Sequence, residues 1–361
     1  MINFKKILCV FFFSLMLMSF FSVSVLADDE SAGNAAAGTV SEMMVLGDSI
    51  SSGYRLENYA RYDNSKPQDC FANILCRHYG LEYDKSFFNF SKTGDASDDT
   101  LAALKAADKD TVKNADVIII STGGNDVMDV VELTLFDAFV AEQENFKKLG
   151  IDINLSSLGS IEQSLLSVFS DPKAKEPLER IIAKCSEQNV QNTFNNTVLQ
   201  YEANIKEMIS YIHETGSDAR IFFLTPYDPT SLLSGNAIIE SIDKMLMNIN
   251  EKTKEITDSK EYGYGTYTED LFNEFKDNLI VWTNLITTDI HPNKDGHLHI
   301  AEMLIKDIDS ALSEKTALDQ EQNTKNAPFS NTVVYIFFGI ACACVAAIII
   351  FSIITYRKKL L

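Results

Sequence analysis

Apolar residues along this chain follow two rhythms. Met43-Met44-Val45-Leu46 and Val117-Ile118-Ile119-Ile120 are unbroken apolar runs without alternation, the pattern of strands covered on both faces. Each runs into small residues, Gly47-Asp48-Ser49 after the first and Ser121-Thr122-Gly123-Gly124-Asn125-Asp126 after the second, so each predicts a strand ending in a tight turn. Arg220 to Leu224 before Thr225-Pro226 predicts another strand, Phe87 to Phe90 a short aromatic one, and Tyr264 to Leu271 a fifth. Between them the spacing turns helical. Phe71, Ile74, Leu75 and His78 recur after Pro67 and before Gly80, with His78 expected to be structural on that face. Leu101 and Leu104 follow a cap at Ser97 or Asp98, and Tyr201, Ile205, Met208, Ile209 and Ile212 precede the fourth strand. Strands alternating with helices predict a three-layer α/β fold, a parallel sheet of about five strands with helices on both faces.

One segment breaks the alternation. Residues 127–195 hold no strong strand but carry Phe136, Phe139, Val140, Phe146, Leu155, Leu158, Leu165, Val168 and Phe169. They predict a helical insertion beside the crevice, either a lid or acyl-pocket wall or simply added packing.

The two ends are apolar in a different way. Lys5 and Lys6 precede the run Ile7 to Leu26, and Ala27 before Asp28 offers a small-residue cleavage site, so 1–27 is expected to be a signal peptide, with an uncleaved anchor as the rival. Val333 to Thr355 carries no charge and is long enough for a hydrocarbon core of about 30 Å. Tyr356-Arg357-Lys358-Lys359 follows it, and basic residues stay on the cytoplasmic side. The expected order is therefore a disordered segment over 28–40, a folded α/β domain over 41–313, a polar stalk over 314–332, a C-terminal transmembrane helix over 333–355 and a cytoplasmic tail over 356–361. The domain would lie outside the cell membrane on a single-pass anchor. A monomer is the default, although Gly339-Ile340-Ala341-Cys342-Ala343 is a small-residue patch that permits dimerisation.

Charge sharpens what surrounds that domain. The formal net charge is −20, and the terminal segments hold five of the 31 basic residues but none of the 51 acidic ones. So acidic a surface argues against nucleic acid as a partner and against adsorption on anionic lipid or an anionic wall polymer. Of six cysteines only Cys70, Cys76 and Cys185 lie between the ends, an odd set that does not make a disulfide framework. Free, partly buried thiols are the expectation.

The chemistry gathers at strand ends. Nucleophilic hydrolysis needs a nucleophile, a base within hydrogen-bond reach, an orienting group and donors where negative charge develops. Ser49 ends the first strand. The Gly94 backbone N–H and the Asn125 side-chain amide stand after later strands, and His291 lies in Thr287-Thr288-Asp289-Ile290-His291-Pro292-Asn293 before the last helix. Ser49 as a mere helix cap is the bland alternative. Asp289, His291, Asp295, His297 and His299 as a metal cluster is another, disfavoured because the last two fall in a helix start led by Gly296. Asp48 and Asp126 are expected to order their loops by accepting hydrogen bonds.

Four ordered blocks, Gly47-Asp48-Ser49 with Gly53, Asn89 with Gly94, Gly123-Gly124-Asn125-Asp126, and Asp289-Ile290-His291-Pro292, resemble the SGNH, or GDSL, hydrolase family over roughly residues 42–310. The resemblance implies a flavodoxin-like sheet and an esterase mechanism without metal or cofactor. It implies Ser49 as nucleophile, His291 as general base and Asp289 as the residue orienting the imidazole. An oxyanion hole would be formed by the N–H groups of Ser49 and Gly94 and the side chain of Asn125. In most of the family the acid lies three residues before the histidine, where this chain has Thr288; Asp289 is two before. The expected substrate is a carboxylic ester, either an acetylated glycan or a lipid or lysophospholipid acyl ester. A non-catalytic surface module that binds a glycan or protein on the same fold is the competing expectation.

Overall fold

The computed structural model describes residues 39–59, 67–151, 172–184, 186–232, 237–287 and 289–326. Five strands form one parallel sheet: β1 Met43–Gly47, β2 Phe87–Asn89, β3 Val117–Ser121, β4 Arg220–Leu224 and β5 Thr266–Glu269. Their order is β2-β1-β3-β4-β5, the flavodoxin-like arrangement that places a topological switch point between β1 and β3. Register makes the carboxyl ends level, with Gly47 beside Ser121, Ser121 beside Leu224 and Leu224 beside Glu269. Ligand-facing loops thus leave the sheet along one edge. β5 is shorter at both ends than the apolar pattern suggested.

Strand period two explains the three layers. Met44, Leu46, Ile118, Ile120, Ile221 and Phe223 point into one core. They meet α3 Ser97–Ala106, α4 Lys109–Asn114, the start of α5 Gly124–Lys148, α7 Gln188–Glu214 and α8 Ala237–Thr257. The alternate residues Met43, Val45, Val117, Ile119, Phe222 and Leu224 enter the other core, against α2 Phe71–His78, α9 Leu271–Glu274, α10 Leu279–Trp282 and α11 Lys294–Asn326. A third, small cluster joins Phe139 and Phe146 of α5 to Leu178 and Ile181 of α6 Lys175–Lys184.

Several details depart from the sequence pattern for local reasons. α2 begins at Phe71 rather than at Pro67, whose carbonyl instead accepts from the Cys70 N–H in the preceding turn. His78 ends that helix exposed, because Phe71 and Leu75 already fill the buried stripe. Ser97 does not cap α3; its hydroxyl donates to Asp126 across the fold. The segment read as an insertion opens inside α5, whose Val127, Val130 and Val131 belong to the main core. Cys70 and Cys76 are buried, and Cys185 lies outside the described residues. Among the described residues no helix is long and apolar enough to cross a membrane. The runs at 7–26 and 333–355 fall outside them, while α11 continues to Asn326 through the start of the expected stalk.

Candidate active site

β1 ends where a side chain has no room. A Cβ on Gly47, at φ +123°, would lie 2.0 Å from the Ser121 carbonyl oxygen, so the chain can turn there only as glycine. The next residue, Asp48, caps the short helix α1 Ser49–Ser52. Its Oδ1 accepts from the Ile50 N–H at 3.0 Å and from the Ser121 hydroxyl at 2.8 Å. With the cap supplied by Asp48, Ser49 is the first helical residue and its hydroxyl is released from that duty. Burial pushes the Asp48 carboxyl up to about 6 against the pull of those bonds, and the charge of Asp126 adds to the rise.

The released hydroxyl meets an imidazole. Ser49 Oγ lies 3.0 Å from His291 Nε2, and His291 Nδ1 lies 2.6 Å from Asp289 Oδ1. A carboxylate accepts, so Nδ1 carries the proton and Nε2 is the acceptor for the serine. The second carboxylate oxygen, Oδ2, is 3.6 Å from Arg55 Nε. His291 is held by its own loop: its carbonyl accepts from Asn284 N–H at 2.9 Å, and the buried Tyr227 hydroxyl donates to the Ile290 carbonyl. Asn293 then caps α11, accepting from the N–H groups of Asp295 and Gly296 at 3.0 Å each. Gly296 is the third residue of that helix rather than its leader; a Cβ there would fall 2.1 Å from the Trp282 carbonyl oxygen.

Ser49, Gly94 and Asn125 line one cleft of about 260 Å³ with Asp48, Tyr54, Met128 and His291. Asn125 spends one amide hydrogen on the Asp95 carbonyl at 2.8 Å, which leaves the other for the cleft. Beneath it, Asp126 accepts from the N–H and hydroxyl of Ser97 at 3.0 and 2.5 Å, and Asn204 donates to the same hydroxyl at 2.8 Å. Burial raises the Asp126 carboxyl above its ordinary range. Asn89 ties β2 to α1 by donating to the Ser51 carbonyl at 3.2 Å.

Beyond the Asp289–His291 pair, the histidines of the alternative metal cluster have other partners. His297 is fully buried, its Nδ1 accepting from the Phe71 N–H at 3.3 Å. Burial, with some help from His291, pushes it down to about 3. His299 stacks on Trp282 at 3.9 Å and meets Glu274 at 2.9 Å. Among the described residues no group of three or more His, Cys, Asp or Glu is placed to hold a metal ion. Sequence reasoning missed Ser121 and Tyr54. Ser121 was signalled by its place at the end of β3. Tyr54, whose ring lies edge-on to His291 at 4.7 Å, carried no such signal.

The model of the GDSL-like lipase/acylhydrolase family matches residues 45–298, a span that opens in β1 and closes in α11 and so takes in every residue of the cleft. The chain belongs to this family. As a GDSL-like acylhydrolase it is an ester-hydrolysing serine hydrolase. No curated protein matches its sequence. Among solved structures it is similar to the lipase Lip_vut3 from a goat rumen metagenome, at 18% identity over 73% of this chain and 96% of that one, with a TM-score of 0.46. It is also similar to phospholipase A1 from Streptomyces albidoflavus NA297, at 15% identity over 72% and 94%, TM-score 0.44. A single-substitution variant of Axe2, an acetyl xylan esterase from Geobacillus stearothermophilus, aligns at 14% identity over 75% and 96%, TM-score 0.42.

Proposed function

We propose that this acylhydrolase cleaves its ester at Ser49, with His291 as general base and Asp289 holding the imidazole. The observation that carries it is the unbroken chain from Ser49 Oγ through both ring nitrogens of His291 to Asp289 Oδ1. Ser49 Oγ bonds to the ester carbonyl carbon as its proton passes to His291 Nε2. The oxygen that gains charge is received by Asn125 and by the N–H groups of Ser49 and Gly94. Collapse breaks the bond to the alcohol oxygen, which takes the proton from His291. Water repeats the sequence in reverse, its proton passing through His291 to Ser49 Oγ as the carboxylic acid departs.

The proposal extends to place. A signal peptide ending at Ala27 and a span over 333–355 would hold the domain outside the membrane, and the course of α11 bears on what it meets there. α11 starts three residues after His291 and runs 33 residues, about 50 Å. Far along it, the Ala311 carbonyl accepts from Arg220 Nε at 3.5 Å and Lys315 pairs with Asp218 at 2.6 Å, both at the start of β4. With such a span following α11, the tether would depart on the side of the sheet where β4 begins, away from Ser49, and the cleft would face away from the bilayer. That arrangement favours esters presented from outside, an acylated glycan in particular, over lipids of the anchoring membrane. The apolar lining by Val127, Met128, Leu246 and Ile290 supports the second reading, an acyl ester of a lysophospholipid.

The test is turnover of p-nitrophenyl esters by the full-length protein, with Ser49→Ala and His291→Ala as controls. A fluorophosphonate probe run in parallel reports the nucleophile. Turnover and labelling lost in both variants support the proposal. Neither turnover nor labelling of the wild type would leave a binding module on a hydrolase fold.

A further inference from the structure

We infer that the two layers of the fold read the two halves of the ester: the acyl chain lies on the α5/α8 side of the cleft, the alcohol leaves over Tyr54, and Met128 sets the acyl length. This rests on Ser49 being the nucleophile as proposed above. The polarity follows from the proton's path. His291 Nε2 must reach the alcohol oxygen to release it, so the alcohol half lies on the His291 side. His291 arrives from the loop into α11, which packs with α2 on one face of the sheet. Tyr54 stands beside it, edge-on at 4.7 Å, backed by Tyr59 at 5.2 Å, whose hydroxyl bonds Thr93 at 2.6 Å. The opposite half of the cleft belongs to the other layer, where α5 and α8 supply Val127, Met128 and Leu246.

Within that half Met128 is the adjustable residue. Gly124, Met128 and Glu132 recur every four residues of α5 and line the cleft as one stripe, about 12 Å from first to last. Val127 and Leu246 are 0% and 3% exposed, so the core fixes their shape. Met128 is half-buried and unbranched, lines the cleft and is not among the residues of the core beneath it. Glu132 closes the stripe with a carboxylate, where apolar lining stops and a longer chain would have to desolvate charge. The helical insertion contributes at a distance. No described residue from 133 to 187 lines the cleft, but Phe139 and Phe146 packed on Leu178 and Ile181 brace the outer half of α5.

The experiment varies the two halves of the ester separately. Acetyl to decanoyl esters of one alcohol, and acetyl esters of methanol, p-nitrophenol and glucose, are turned over by wild type, Met128→Ala, Met128→Phe, Met128→Leu and Tyr54→Ala, each also labelled with a fluorophosphonate. Met128→Ala is expected to move the acyl optimum to longer chains. Met128→Phe should lose about fourfold for each methylene excluded, so that its loss grows with acyl length and is smallest for acetyl esters. Met128→Leu, of similar volume, should keep the wild-type profile. None of the three should change the ranking of alcohols, whereas Tyr54→Ala should change that ranking and keep the acyl optimum. Met128 variants that lose rate in parallel at every chain length, or that reorder the alcohols, while still labelled, would overturn the inference. A wild type neither labelled nor active would overturn the hydrolase assignment of Ser49 itself.

Discussion

Asp289 Oδ1 accepts from Nδ1 of His291 at 2.6 Å and from the backbone N–H of the same residue at 3.1 Å. An aspartate whose side chain takes the N–H two residues on is an Asx turn. This turn folds the carboxylate back onto the ring that follows it. It gives a physical reason why a separation of two residues, one fewer than the common family pattern, still brings carboxylate and imidazole together. Arg55 Nε, 3.6 Å from the other oxygen, adds an exposed charge that is worth little to stability.

Asparagine at 289 can keep the turn through its amide oxygen but loses the charge facing the imidazolium that forms during catalysis. Asp289→Asn is therefore expected to lower kcat by roughly 10²- to 10⁴-fold. His291→Ala and Ser49→Ala should each lose more, and should not add when combined because they act as a unit. Steady-state kinetics of wild type, the three single variants and the Ser49→Ala/His291→Ala double variant checks this. Wild-type kcat in Asp289→Asn would remove Asp289 from the site.

Stability should rise on mild acidification. Burial raises the carboxyls of Asp48 from 3.8 to about 6 and of Glu269 from 4.5 to about 7. The folded state then binds more protons than the unfolded chain between those values, and it gains stability as pH falls from about 7 toward 4.5. Asp48 alone contributes on the order of 3 kcal/mol across its window. Buried His297, at about 3 instead of 6.5, works the other way and loses stability as pH falls below 6.5. Two carboxyls against one imidazole leave a net gain down to about 4.5 and a net loss below 3.8. Thermal unfolding from pH 8 to 3 should show Tm rising to a maximum near pH 4 to 5, with the rise flattened in Asp48→Asn and Glu269→Gln. A Tm highest at pH 8 and falling throughout would contradict it.

Gly47→Ala places a methyl group 2.0 Å from the Ser121 carbonyl oxygen at φ +123°. Both the overlap and the left-handed backbone oppose it, and a loss of at least about 2 to 3 kcal/mol is expected. Denaturant unfolding monitored against wild type measures the loss. A variant within 0.5 kcal/mol of wild type, a margin of about the size of an ordinary surface change, would show that the turn has room.

Ser97 ties three elements under Asn125 through two bonds to Asp126 and one from Asn204. Ser97→Ala leaves buried polar groups without partners and should cost about 1 to 3 kcal/mol. Because Asn125 follows directly into that network, kcat should fall more than KM rises. An unchanged kcat with lowered stability would confine Ser97 to the scaffold.

The parts legible in the sequence are those written in short-range pattern. Unbroken apolar runs marked β1, β3 and β4 because both faces are covered, and small residues after β1, β2 and β3 marked the edge where Ser49, Gly94 and Asn125 gather. What could not be read depended on partners far away in sequence. Ser97 has the chemistry of a cap, and only the approach of Asp126, 29 residues on, diverts it. His78 fits the helical spacing of Phe71 and Leu75 yet lies outside their buried stripe. The start of α5 in the main core was hidden because the apolar residues of 127–195 serve two different cores, and periodicity does not say which.

The most direct test is to trap the acyl group. The full-length protein is mixed with p-nitrophenyl butyrate, quenched in acid within the first turnovers and mapped by peptide mass spectrometry. A butanoyl adduct on the peptide bearing Ser49, absent from Ser49→Ala and failing to build up in His291→Ala, is the predicted result. An adduct at another residue, or ester turnover that persists in Ser49→Ala, would contradict it.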